Sequence, residues 1–374
     1  MRNFSLLLFQ SHFLPMTASV MKNFCMNRFH FSAWACVFFF ALKPPQAGAT
    51  ISRDGLEQAA AYSARHGGIS LLVIQGGRVV TEDYPNGGSA KSANKIYSGT
   101  KSFFSMAALI ASQEGLFDLD DPVSSVIQEW KSDPKRQKIT IRQLLNFTSG
   151  LGASFQLHSD RVRDRNAAAL SVPLVAERGE VFTYGPSHGQ VLCEVLTRKL
   201  KPRGETPYSY LKRRILDPLG IGDIEYRKDQ KGAPLVASGF RLTARQWARF
   251  GVMLLENGSY RGRRIVSPDL VAEAFRGSPA NPMFGFGLWI NQVAKKNGAR
   301  EVDIEEELEA DWNNQRWNGG CISRVAPPDL VAAVGSENQR LYVIPSLDLV
   351  VVRHGAAAKF SDAEFLRRLL SPQG

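Results

Sequence analysis

The strand-forming stretches of this chain lie toward its two ends, and the long middle between them has helical character. Residues 70–75 and 78–84 are apolar, β-rich runs separated by Gly76-Gly77, the composition of a tight hairpin turn. Runs of the same kind return at 284–291, 330–334, 339–344 and 349–354, with Pro345-Ser346-Leu347-Asp348 supplying the turn between the last two. From about residue 118 to 275 the pattern is helical and broken by Gly and Pro, with candidate helices at 141–147, 189–200, 207–216, 244–257 and 268–275. Strands so far apart bury their faces most economically in one mainly antiparallel sheet, built from both chain ends and flanked by helices. The helical block is then an inserted subdomain, and the fold class is α/β (α+β). Further helices are expected at 54–66 and 361–370. The acidic run from Glu301 to Asp311 matches neither period and is expected to be a solvated insertion.

The first 49 residues stand apart from this plan. Lys22 and Arg28 precede an apolar run over 31–42, and Ala47-Gly48-Ala49 follows, the layout of an export leader with cleavage after Ala49. The run is short for a bilayer span, so no stable membrane anchor and a periplasmic location are expected for residues 50–374. The chain carries 46 Lys and Arg against 35 Asp and Glu. Removing the leader takes away Arg2, Lys22, Arg28 and Lys43 and no acidic residue, which lowers the excess from +11 to +7. The remaining basic residues are scattered and not interleaved with aromatics, which argues for a solvated surface and against nucleic-acid binding. Cys193 and Cys321 remain after cleavage, as a bridge or as two buried thiols. His66, His158, His188 and His354 show no metal-ligand spacing. Neither a metal nor another cofactor is expected.

Chemistry points to Ser98 and Lys101. The spacing S-x-x-K occurs five times, starting at Ser19, Ser92, Ser98, Ser132 and Ser209. Ser19 lies in the leader, Ser92 in a polar loop, Ser132 beside a helix-breaking Pro134, and Ser209 on a helix whose Lys212 is followed by two arginines. Ser98 alone leads into a segment that is apolar nearly all round, residues 101–114, with Gly115 as its C-cap. Residues i and i+3 share a helix face, so the Lys101 amine can reach the Ser98 oxygen. Burial lowers a lysine pKa, and a neutral lysine beside a serine is a nucleophile with its own base. A polar helix start without chemistry satisfies the same residues. A rival nucleophile is Ser187 in Gly185-Pro186-Ser187-His188-Gly189, a G-x-S-x-G elbow followed by Asp348 and His354, with His66-Gly67-Gly68 as an oxyanion loop. Against it, the surrounding chain lacks the strand–helix alternation of a parallel sheet.

The stretch Ile96-Tyr97-Ser98-Gly99-Thr100-Lys101-Ser102-Phe103 resembles the active-site segment of the serine β-lactamase/DD-peptidase superfamily, best its class C-like branch. Further likenesses follow in order. Residues 141–151 resemble that branch's "LLTHTSGL" segment, and Phe182-Thr183-Tyr184 falls where its tyrosine motif stands. Residues 238–245 resemble its "GL-x-STARDLARFG" helix, and residues 339–353 its closing strand pair.

The resemblance implies a β-lactamase/transpeptidase-like fold, with Ser98 as acylated nucleophile, Lys101 as general base and Tyr184 as proton relay. A phenol near a cationic lysine is expected to shed its proton more readily. Ser187 becomes an N-cap and His188 a helix-start residue. Two departures narrow the chemistry. The family's Y-x-N is Tyr184-Gly185-Pro186 here, without the amide that holds a substrate carbonyl. Its K-T-G or H-x-G is absent, and Ala333-Val334-Gly335-Ser336-Glu337-Asn338-Gln339 stands near that position. Val334, Gly335, Asn338 and Gln339 are the candidate oxyanion and substrate-binding residues. The departures favour small-molecule esters, non-peptide amides or cell-envelope fragments over β-lactams and D-Ala-D-Ala peptides. A non-catalytic protein of the same fold that binds envelope fragments, and a β-lactamase or D-Ala-D-Ala carboxypeptidase, are the alternatives. The α/β-hydrolase built on Ser187 is the remote one.

Overall fold

The structure is a computed structural model, and it describes residues 50–292, 298–310 and 317–371. The expected leader lies outside the described residues. Strands β1 (Ser70–Gln75), β2 (Arg78–Asp83), β3 (Trp289–Ile290), β4 (Val331–Gly335), β5 (Gln339–Ile344) and β6 (Leu349–His354) form one antiparallel sheet, in the order β2-β1-β6-β5-β4-β3. The join between the chain ends is the β1–β6 pair, where Ser70 faces His354 and Gln75 faces Leu349. The sheet predicted from both ends is therefore the one observed.

Alternation along the central strands explains why the sheet is covered twice. Leu72, Ala333, Leu341, Val343, Val350 and Val352 face one apolar core. Their neighbours Leu71, Val73, Val334, Tyr342, Ile344 and Val351 face another. Side chains on a strand point alternately to opposite faces, and apolar residues at every position require helices on both sides. On one side lie α1 (Arg53–Arg65) and the C-terminal α6 (Asp362–Leu370), packed on each other. On the other lie α2 (Thr100–Gln113) and α4 (Ala244–Leu255). Helix α3 (Ser187–Leu200) packs on α2 within the helical block. A capping box between Thr243 and Gln246 starts α4, and Ser52 and Ser361 cap α1 and α6.

Three expectations need correction. The strand expected over 284–291 shrinks to Trp289–Ile290, because Gly287 at φ +72° and a bridge between Phe284 and Trp289 turn the chain first. The helix expected over 207–216 ends at Leu211 and continues as a π turn to Leu216. The acidic run is no solvated insertion: Arg300–Glu301 is a short strand and α5 (Ile304–Ala310) is a helix whose Ile304 is fully buried. Its anchor is Glu305, which accepts a hydrogen bond from Arg340 Nη1 at 2.7 Å. Arg340 itself is fully buried and donates to both carboxylate oxygens of Asp362, at 2.7 and 3.1 Å. Cys193 and Cys321 are separate buried thiols. Among the described residues no helix is long and apolar enough to cross a membrane, and no group of His, Cys, Asp or Glu could hold a metal ion.

Candidate active site

Ser98 sits on a single 3-10 turn, Tyr97–Gly99, that runs directly into α2. Tyr97 adopts φ +43°, a conformation L-residues rarely hold, and such strain persists only where surroundings enforce it. The enforcement comes from the segment leading into α4. Thr100 Oγ1 accepts from the Phe240 N–H at 3.1 Å, and a Cβ on Gly99 would lie 2.7 Å from the Trp247 ring. From the sheet side, a Cβ on Gly335 would lie 2.1 Å from the Ile96 carbonyl oxygen. The Ser98 turn is thus clamped between α4 and the end of β4.

Lys101, one turn on, places Nζ 2.8 Å from Ser98 Oγ and 2.9 Å from the Ala237 carbonyl oxygen. The side chain is enclosed, and burial lowers its pKa from 10.5 to about 7. Near neutral pH a large share of the amine is therefore unprotonated, able to accept the Ser98 proton.

Tyr184 lies on the extended segment before α3. Its Thr183 neighbour is tied by an N–H bond to Phe147 O at 3.0 Å and by the His188 ring at 2.8 Å. Its ring packs among Phe147, Phe284 and Trp289. Lys101 Nζ stands 4.7 Å from the Tyr184 ring centroid. Burial raises the Tyr184 pKa well above its usual value, against a smaller lowering from a Ser98 hydrogen bond. This reverses the expected direction: burial disfavours the charged phenolate and dominates the shift. Tyr184 therefore keeps its proton at neutral pH.

Ser98, Lys101 and Tyr184 open onto one cavity of about 360 Å³, lined also by Phe155, His158, Ser238, Glu305, Leu308 and Ser336. The lower-ranked candidates fare differently. Val334 is buried in the sheet core, and Gly335 serves the close approach to Ile96. Asn338 donates to the Ala356 and Ala358 carbonyls, and Gln339 to those of Glu337 and Gly355, so both side chains hold loops together. Ser336, next to Gly335, reaches the cavity. Sequence reasoning missed Phe155, His158, Ser238 and Glu305. Ser238 alone carried a signal, since it opens residues 238–245, the stretch singled out by its family resemblance.

The Ser187 elbow is not assembled. Ser187 is fully buried and its hydroxyl donates to Gly152 O at 2.6 Å, so it is neither a nucleophile nor an N-cap. His188 braces Thr183 and Ser149. His354 bonds Ser70 and stacks on Trp247, and Asp348 forms a left-handed turn.

The Beta-lactamase family model matches residues 53–365. Protein flp of Staphylococcus aureus (strain MRSA252) is 26% identical over 191 residues, 47% of this chain. The chain spans only 38% of the length of flp. A family VIII carboxylesterase structure superposes with TM-score 0.61 at 16% identity, covering 86% of this chain and 97% of that one. EstCE1, described as a hydrolase with promiscuous acyltransferase activity, superposes with TM-score 0.59 at 19% identity, covering 84% and 94%. At these identities the two structures speak to fold alone. The family match takes in every strand of the sheet together with Ser98, Lys101 and Tyr184, and the chain belongs to the beta-lactamase family of hydrolases.

Proposed function

We propose that this chain is a serine hydrolase that acylates Ser98 and acts on esters or non-peptide amides. The observation that carries this is the 2.8 Å contact between Ser98 Oγ and an enclosed Lys101 amine lowered to about 7. Neutral Lys101 takes the hydroxyl proton as Oγ attacks the substrate carbonyl. The oxyanion is received by main-chain N–H groups of Ser98 and Ser336, which the clamp at Gly335 brings to one cavity. Tyr184 protonates the departing alcohol or amine and is reprotonated from Lys101. Water then attacks the ester carbonyl, Lys101 accepts its proton, and the acid leaves as Ser98 recovers its hydrogen. Among the described residues, no side chain lining the cavity apart from Lys101 offers a positive charge to a substrate carboxylate, since burial and nearby cations hold His158 near 4 and hence neutral. This supports esters and simple amides over β-lactams.

Ser98→Ala is expected to abolish ester hydrolysis and labelling by a fluorophosphonate probe, while Ser187→Ala keeps both. The reverse pattern would move the nucleophile and overturn this assignment. No covalent adduct with activated esters or penicillins, read by intact mass, would make the protein a binding module. Export ahead of residue 50 belongs to the same proposal, and the N-terminus of the protein recovered from a periplasmic extract tests it.

A further inference from the structure

We propose that Glu305 makes this site select substrates bearing a positive charge, ammonium or quaternary ammonium esters and amides, over anionic ones. The inference rests on the acyl-enzyme reading above and concerns what the cavity takes.

Besides Lys101, Glu305 is the charged side chain among the described residues that line the Ser98 cavity. The remaining lining is aromatic, aliphatic or neutral polar: Tyr97, Phe155, Tyr184, Leu308 and the Ser238–His158 pair. Glu305 is held in place. Its Oε1 accepts from Arg340 Nη1 at 2.7 Å and from the Asn338 N–H at 3.1 Å. Arg340 has no exposed surface, and its other bonds go to Asp362 and to the Gly335 and Gln339 carbonyls. One guanidinium thus faces two carboxylates, and it anchors Glu305 without presenting its own charge to the cavity. The Glu305 side chain keeps about a fifth of its surface exposed (22%). A carboxylate fixed at the edge of an apolar cavity attracts a cation and repels an anion, more strongly than in open water.

The surroundings reinforce that sign. An adjoining groove shares Glu305 and Ser336 with the cavity and is lined by Asp303, Glu306 and Glu337 against Lys359. The Glu337 carboxylate accepts the neutral Tyr97 hydroxyl at 2.7 Å, so its charge is not cancelled there. At about 6 Å and an effective dielectric constant of about 40, one unit charge on the substrate changes its affinity about tenfold.

The test compares size-matched esters. One set varies the leaving group: acetylcholine, its neutral carbon analogue 3,3-dimethylbutyl acetate, and the acetate ester of 3-hydroxypropanesulfonate. The other varies the acyl group, as 4-nitrophenyl esters of 4-(trimethylammonio)butanoate, 5,5-dimethylhexanoate and glutarate. In at least one set kcat/KM should fall about tenfold from cation to neutral and again to anion. The preference should shrink on raising NaCl from 0.05 to 0.5 M, because exposed charges are screened. Glu305→Gln should bring the cation-to-neutral ratio close to one, and because the ratio is taken within one protein sample, a loss of folded material cancels. The salt series on the unaltered protein stands in if that variant does not fold. Ratios within twofold of one in both sets would overturn the inference while leaving Ser98 chemistry intact. Failure to hydrolyse any ester would remove both.

Discussion

Replacing Lys101 by Met should stabilise the protein at pH 6 and at the same time abolish acylation. In the unfolded chain the amine keeps its proton up to its ordinary value of 10.5, whereas in the folded protein it loses it near 7. Between those values the unfolded state binds more protons, so stability rises with pH across that window. The burden of an enclosed ammonium is fully present below about 7 and gone above 10.5. A shift of about 3.5 units, at about 1.4 kcal/mol each, makes it about 5 kcal/mol at pH 6 and about 2 kcal/mol at pH 9. Methionine fills similar space without charge but forfeits the hydrogen bonds to Ser98 Oγ and Ala237 O, at a cost of about 1 kcal/mol each. The variant should therefore exceed the parent by about 3 kcal/mol at pH 6 and match it near pH 9. Urea unfolding of both proteins at the two pH values measures the gap. A gap unchanged within about 0.5 kcal/mol would mean that Lys101 is not held partly neutral by burial, and the proposed base would lose its physical basis. For the parent enzyme, kcat/KM should rise with pH through about 7.

Two further substitutions probe the frame around the site. Gly335→Ala puts a Cβ 2.1 Å from the Ile96 carbonyl oxygen. It should displace the Ser98 turn and lower kcat for ester hydrolysis at least tenfold, with a stability loss of about 1–3 kcal/mol by urea titration; unaltered kcat would show that the clamp does not position the nucleophile. Asp362→Asn leaves the fully buried Arg340 without its paired carboxylate and should lower stability by about 3–5 kcal/mol, which thermal unfolding would report as a large drop in Tm. A drop of only a degree or two would mean that Glu305 alone suffices for Arg340.

The parts that were legible in the amino-acid sequence are those governed by local pattern. The paired runs at 70–75 and 349–354 are apolar at nearly every step, which only a doubly covered sheet accommodates, and Ser98 and Lys101 share one helix turn. What escaped is governed by distant partners. Glu305 lies in a run of glutamates that looks solvated, and its role follows from Arg340, 35 residues on and completely enclosed. An arginine within a strand gives no local sign that it will be buried. His158 and Ser238 meet across 80 residues to line the cavity, a pairing no periodicity encodes. Tyr184 stands beside Lys101, and its acidity runs opposite to expectation, because the aromatic enclosure that desolvates it comes from Phe147, Phe284 and Trp289 on separate segments.

The β1–β6 pairing also sets an order in time. Ser98 and Lys101 leave the ribosome early, yet β4, which ends at Gly335 just before Ser336, comes more than two hundred residues later, and β6, which joins β1 to β5 and through β5 to β4, later still. Contacts closed over such spans form slowly. On the proposed mechanism, until the last strand docks Ser98 has Lys101 beside it but no completed cavity, so a nascent or prematurely terminated chain would carry the pair in an idle form. The same join draws α1 and α6 together, with Gly55 against Leu369, so a linker could join the start of α1 to the end of α6 and new termini could be opened in a loop of the helical block without unpairing a single strand.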